Sequence, residues 1–92
     1  MTRSLNITWE DPLAAHGAGR ALSGLAYMYE MIAGRIPVPP IMRLLGYRLT
    51  QAAEGLAVFE CEPGEQHYNP IGVVHGGLAM TLLDSAMGCC VH

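Results

Sequence analysis

The sequence predicts an α+β chain in which two helices flank a β-hairpin. Three observations lead there. Apolar residues recur at helical spacing over 20–33. The period drops to two over 45–62, where apolar and polar residues alternate. A run beginning at about Val74 is then apolar around most of a helix, the pattern of an element enclosed in a core.

Residues 1–19 mix Trp9, Asp11 and Pro12 with Gly17 and Gly19, and no period emerges, so a flexible N-terminal arm is expected. The helix over 20–33 sets Leu22, Leu25, Ala26, Tyr29 and Ile32 on one face, with Gly34 as its stop signal. The string Pro37-Val38-Pro39-Pro40 reads as an extended connection, because proline fixes φ and disfavours helix in the residue before it. Leu45, Tyr47 and Leu49 then alternate with Gly46, Arg48 and Thr50. Ala57, Phe59 and Cys61 alternate with Val58, Glu60 and Glu62. Glu54-Gly55 between them supplies a turn, and Pro63-Gly64 ends the second strand. A hairpin alone is marginal in water. Two strands cannot enclose an apolar helix, so further chain or another subunit is expected against it.

The bulk numbers narrow the function classes. The 92 residues suffice for one small domain, and domains of that size often lean on a partner chain. With 51% hydrophobic and 14% charged residues the composition is globular. Arg3, Arg20, Arg35, Arg43 and Arg48 are scattered and the net charge is −3, which argues against nucleic acid or an anionic membrane as partner. Cys61, Cys89 and Cys90 are odd in number and form no disulfide framework. The N-terminus carries no secretory pattern, and the apolar stretch over 21–33, interrupted by Glu30, is short for a membrane span. A cytoplasmic location is expected.

The chemistry concentrates on the last helix. Gly77, Thr81, Asp84, Ser85 and Gly88 stand three or four residues apart, forming one narrow polar stripe on an oily rod. The stripe either faces water or faces a site. No Lys or Arg follows Arg48, so a carboxylate enclosed at Asp84 lacks a sequence-local cation and becomes a candidate general base or nucleophile. His75-Gly76-Gly77 opens the same helix, where free N–H groups and partial positive charge suit a developing oxyanion. Gly76 and Asp84 are eight residues apart, about 12 Å along a helix axis. One reacting carbonyl cannot lie within about 3 Å of both. If both act on one substrate they come from different subunits, which predicts a two-fold dimer with sites at its interface.

The string Asn69-Pro70-Ile71-Gly72-Val73-Val74-His75-Gly76-Gly77, followed by Thr81-Leu82-Leu83-Asp84 and Gly88, resembles the signature of PaaI-like hotdog-fold acyl-CoA thioesterases. Leu44-Leu45-Gly46-Tyr47 and Ala57-Val58-Phe59-Glu60 are also similar to that family, so the resemblance covers about 36–92. It implies a long helix wrapped by a curved antiparallel sheet, assembled as a dimer or dimer of dimers. It implies hydrolysis of aromatic or medium-chain acyl-CoA thioesters without metal or redox cofactor. Asp84 matches the acid that activates water or attacks the thioester, and Gly76 the amide that polarises the carbonyl from the other subunit. Asn69 and His75 match residues that shape the site, with Gly72, Gly77, Thr81 and Ser85 as substrate-binding neighbours. Family members continue past the central helix into three further strands. The expected organisation is therefore an arm over 1–19 and a partial hotdog domain over 20–92. An acyl-CoA-binding hotdog without turnover, or an inactive fragment, are the competing expectations.

Overall fold

The computed structural model describes residues 1–13, 17 and 22–90. Helix α1 (Gly24–Ile32) is followed by helix α2 (Pro40–Leu45), strand β1 (Tyr47–Ala53), strand β2 (Leu56–Cys61), a 3-10 turn (Glu65–His67) and the central helix α3 (Gly76–Cys90). The architecture is α+β with a two-stranded antiparallel sheet, compatible with part of a hotdog fold.

Helix α1 begins later than the apolar pattern suggested. Ser23 is its N-cap, and the Ser23 hydroxyl accepts the Ala26 N–H at 3.1 Å. Leu22 lies outside the helix, and residues 20 and 21 fall outside the described residues. Its buried face also differs from expectation. Met28 and Met31 point inward, whereas Tyr29 and Ile32 are exposed. The exit from α1 is latched by Arg35, whose Nε and guanidinium NH2 group donate to the two Glu30 carboxylate oxygens at 2.7 and 3.0 Å.

The proline-rich connection hides a helix. Pro39 is the N-cap of α2 and Pro40 its first residue, a position whose N–H has no partner within the helix. Gly46 ends it in the left-handed region at φ 73°, returning an N–H to the Met42 carbonyl at 2.9 Å. Leu45 thus closes a helix rather than opening a strand.

The hairpin is as the alternation predicts, with Glu54-Gly55 as its turn. Tyr47 faces Cys61 and Leu49 faces Phe59, then the register shifts between Leu49 and Gln51. The intervening Thr50 donates its hydroxyl to the Val58 carbonyl at 3.3 Å, satisfying the bulge locally.

Helix α1 packs on β1 and α3 on β2. The core is Met28, Met31, Met42, Tyr47 and Leu49, with Leu25, Phe59, Leu82 and Cys89 against it. The described residues do not enclose the central helix. Leu78 is 7% exposed, but Met80, Leu83 and Met87 are 71%, 61% and 63% exposed. The two strands cover one side of α3 and leave an apolar face open. Among the described residues no helix is long and apolar enough to cross a membrane.

Candidate functional site

The loop between β2 and α3 is fixed by a buried histidine. His67 Nδ1 accepts the Gly64 N–H at 3.0 Å, which leaves Nε2 as the donor to the Leu45 carbonyl at 2.7 Å. The His67 carbonyl then accepts the His75 N–H at 2.7 Å. One residue thereby ties the end of α2, the 3-10 turn and the approach to α3.

Asn69 organises the next turn. Its Oδ1 accepts the N–H groups of Ile71 and Val73 at 3.0 and 3.2 Å, and its backbone N–H donates to the Val73 carbonyl at 2.7 Å. Gly72, at φ 81°, adopts the left-handed conformation this tight return requires. An isolated bridge between Tyr68 and Val74 closes the loop.

At the start of α3, His75 Nδ1 accepts the Gly77 N–H at 2.8 Å and the His75 carbonyl accepts the Leu78 N–H at 3.1 Å. Among the described residues no acceptor takes the Gly76 N–H. A Cβ on Gly77 would stand 2.9 Å from His75 Nδ1, so glycine is what lets the ring close on the helix end. Thr81 donates its hydroxyl to the Gly77 carbonyl at 2.9 Å. His67, His75, Gly77, Leu78 and Thr81 line a cleft of about 380 Å³ with Gln66, Tyr68 and Leu45.

Asp84 stands two turns further on, at a second cleft of about 350 Å³. Ser85, Gly88 and Cys89 share that wall with it. Opposite stand Tyr27, Met28, Met31, Ile41, Met42 and the pair Tyr47 and Phe59, whose ring centroids are 5.8 Å apart. Ser85 Oγ lies 3.0 Å from Tyr47 Oη, bonding the helix to β1. Burial pushes the Cys89 thiol pKa up. Asp84 itself is exposed in the single chain, and no described salt bridge engages it.

The polar stripe of α3 therefore runs between two clefts. Gly77 and Thr81 belong to the first, and Asp84, Ser85 and Gly88 to the second. Within one chain Gly76 and Asp84 do not meet. Asn69 and Gly72 shape the loop backbone, with the Asn69 side-chain oxygen already engaged, and Ser85 is engaged by Tyr47. Sequence reasoning missed the anchoring roles of His67 and Tyr47. The histidine after Pro63-Gly64 gave a faint signal for the first and nothing signalled the second, since both depend on contacts distant in sequence. Among the described residues no group of three His, Cys, Asp or Glu is placed to hold a metal ion.

Comparison with known proteins gives one partial similarity. The chain is 46% identical over 44 residues to acyl-coenzyme A thioesterase 13 of Homo sapiens and, equally, of Pongo abelii. The match takes in 47% of this chain and 31% of each relative, so the chain spans about a third of the length of the curated relatives it matches. No family model matches the chain, and no solved structure does.

Proposed function

We propose that this chain forms part of a hotdog acyl-CoA thioesterase of the PaaI-like kind, acting on aromatic or medium-chain acyl-CoA as a homodimer or dimer of dimers. The observation that carries this reading is the placement of Asp84 on the rim of an apolar cleft, with an uncommitted Gly76 N–H two turns away on the same helix. The partial similarity to acyl-coenzyme A thioesterase 13 supports the same class.

In this mechanism the thioester carbonyl oxygen accepts the N–H of Gly76 of the partner subunit, while the acyl group lies toward Asp84. The Asp84 carboxylate takes a proton from water as the water oxygen attacks the carbonyl carbon. Negative charge collects on the carbonyl oxygen, where the helix-terminal N–H and dipole stabilise it. Its collapse breaks the C–S bond, and the departing CoA thiolate takes the proton that Asp84 removed from water, which restores the carboxylate. Direct attack by Asp84, giving an anhydride that water cleaves, uses the same geometry. His75 orders the helix end, Asn69 and Gly72 hold the loop, and Gly77, Thr81 and Ser85 border the substrate path.

Complementation tests the composite site. Gly76→Pro removes one N–H at the first helical position, where proline is tolerated. Asp84→Asn removes the base. Each variant alone should lose about 10²-fold or more of the activity. Mixed as dimers, half the pairs carry one chain of each kind, and one of their two sites is intact, so about a quarter of the activity returns. Absence of recovery in a confirmed heterodimer sinks the two-subunit site. Absence of thiol release from any acyl-CoA by the unmodified protein sinks the thioesterase reading.

A further inference from the structure

The cleft at Asp84 is built from unlike halves. One wall is the α3 stripe of Asp84, Ser85 and Gly88. The other is methionine-rich, with Met28 and Met31 from α1 and Met42 from α2, closed by Phe59. Ile41 stands at its mouth, 46% exposed. Tyr47 forms the floor between the halves, its ring against Phe59 and its hydroxyl bonded to Ser85. Thioether side chains are unbranched and polarisable, so such a wall reshapes around different apolar guests at little strain. A concave, mostly apolar site with a few polar groups at one end is what a small amphipathic ligand needs.

We propose that the α1–α2 wall, led by Met28, Met31, Met42 and Ile41, is the acyl-selecting pocket, receiving the apolar tail of a thioester whose carbonyl stays at the Asp84 end. This rests on the thioesterase reading, which accounts for the polar end alone. The added content is that residues before the hairpin set the acyl preference, and that the methionines make it broad rather than strict.

The test uses the whole chain and a probe that cannot turn over, S-hexyl-CoA, a thioether. Cys89 lies in the pocket wall, whereas Cys61 and Cys90 do not line it. Maleimide labelling at alkaline pH, read residue by residue by mass spectrometry, should slow at least five-fold at Cys89 with saturating probe and stay unchanged at Cys61 and Cys90. Ile41→Trp fills the mouth from an exposed position. It should abolish that protection and lower kcat/KM for hexanoyl-CoA at least ten-fold relative to acetyl-CoA. No protection of Cys89 in the unmodified chain, or an unaltered acyl profile in a folded Ile41→Trp, overturns the pocket. Protection without any hydrolysis upholds the pocket and overturns the thioesterase reading instead.

Discussion

The Gly77 N–H donates to His75 Nδ1 across 2.8 Å, so the histidine ring is the N-cap of the central helix. The ring takes the second helical amide and leaves the first, on Gly76, without a described acceptor. The cap thus stabilises the helix end while keeping one donor for a ligand. His75→Ala should cost about 1 kcal/mol in urea denaturation, the usual loss of an N-cap side chain, and His75→Asn should recover most of it. In hydrogen exchange, the Gly77 amide should be protected relative to Gly76 in the unmodified protein and lose that protection in His75→Ala. Equal exchange at both amides from the start would remove the capping role.

Asp84 is exposed in the single chain, so its removal should leave the fold nearly untouched, within about 0.5 kcal/mol. Catalysis should respond quite differently. Asp84→Asn should lower kcat for thioester hydrolysis by roughly 10²–10⁴, the range a positioned general base supplies, while a thioether CoA analogue binds as before. Undiminished kcat in that variant takes Asp84 out of the mechanism.

His67 engages both ring nitrogens and is 7% exposed. His67→Ala orphans the Leu45 carbonyl and the Gly64 N–H together and should destabilise by about 2–3 kcal/mol. The exposed neighbour Gln66 is the control, with Gln66→Ala shifting stability by no more than about 0.5 kcal/mol. Matching denaturation midpoints for the two variants would show that His67 does not anchor the loop.

Much of the fold was legible in local pattern. The hairpin followed from alternation plus Glu54-Gly55, and the α3 start from His75-Gly76-Gly77, because strand period and helix ends are written in adjacent residues. Helix α2 was not legible. Pro39 and Pro40 read as extended, yet proline's fixed φ is itself helical, and at a cap and first helical position its missing N–H and its ring disturb no preceding turn. The inward face of α1 was legible in part: Met28 and Met31, core fillers by default, do fill the space over β1, whereas Tyr29 and Ile32, assigned to that face by helical spacing, are exposed.

The candidate site was legible only as a list of residues. The His67 ring reaches a carbonyl 22 residues away and the Tyr47 hydroxyl a serine 38 residues away. Such pairs have no local signature, so neither the anchored loop nor the methionine wall opposite Asp84 could be read from spacing.

The Tyr47–Ser85 bond separates framework from chemistry. Tyr47→Phe keeps the ring packed against Phe59 and deletes one hydrogen bond at 3.0 Å. It should cost about 1 kcal/mol in denaturant midpoint analysis and leave kcat/KM within a few-fold. A collapse of kcat with stability intact would instead promote the tyrosine hydroxyl to a direct part in the reaction.

Cys89 gives the fold a pH dependence whose sign is fixed by burial. Desolvation disfavours the thiolate, so the folded-state thiol pKa lies above its unfolded value. A raised pKa means the native chain holds the proton more tightly than the unfolded chain does. Its contribution to stability is therefore fully present below the ordinary thiol pKa. It is lost as the pH rises toward and through the raised folded value. Urea midpoints measured across the alkaline range should fall, and Cys89→Ala should flatten that fall. The same physics makes Cys89 a slow nucleophile at neutral pH, so iodoacetamide should reach Cys90 first. An alkaline decline identical in Cys89→Ala, or faster labelling at Cys89 than at Cys90, would show that the thiol is not held in an apolar wall.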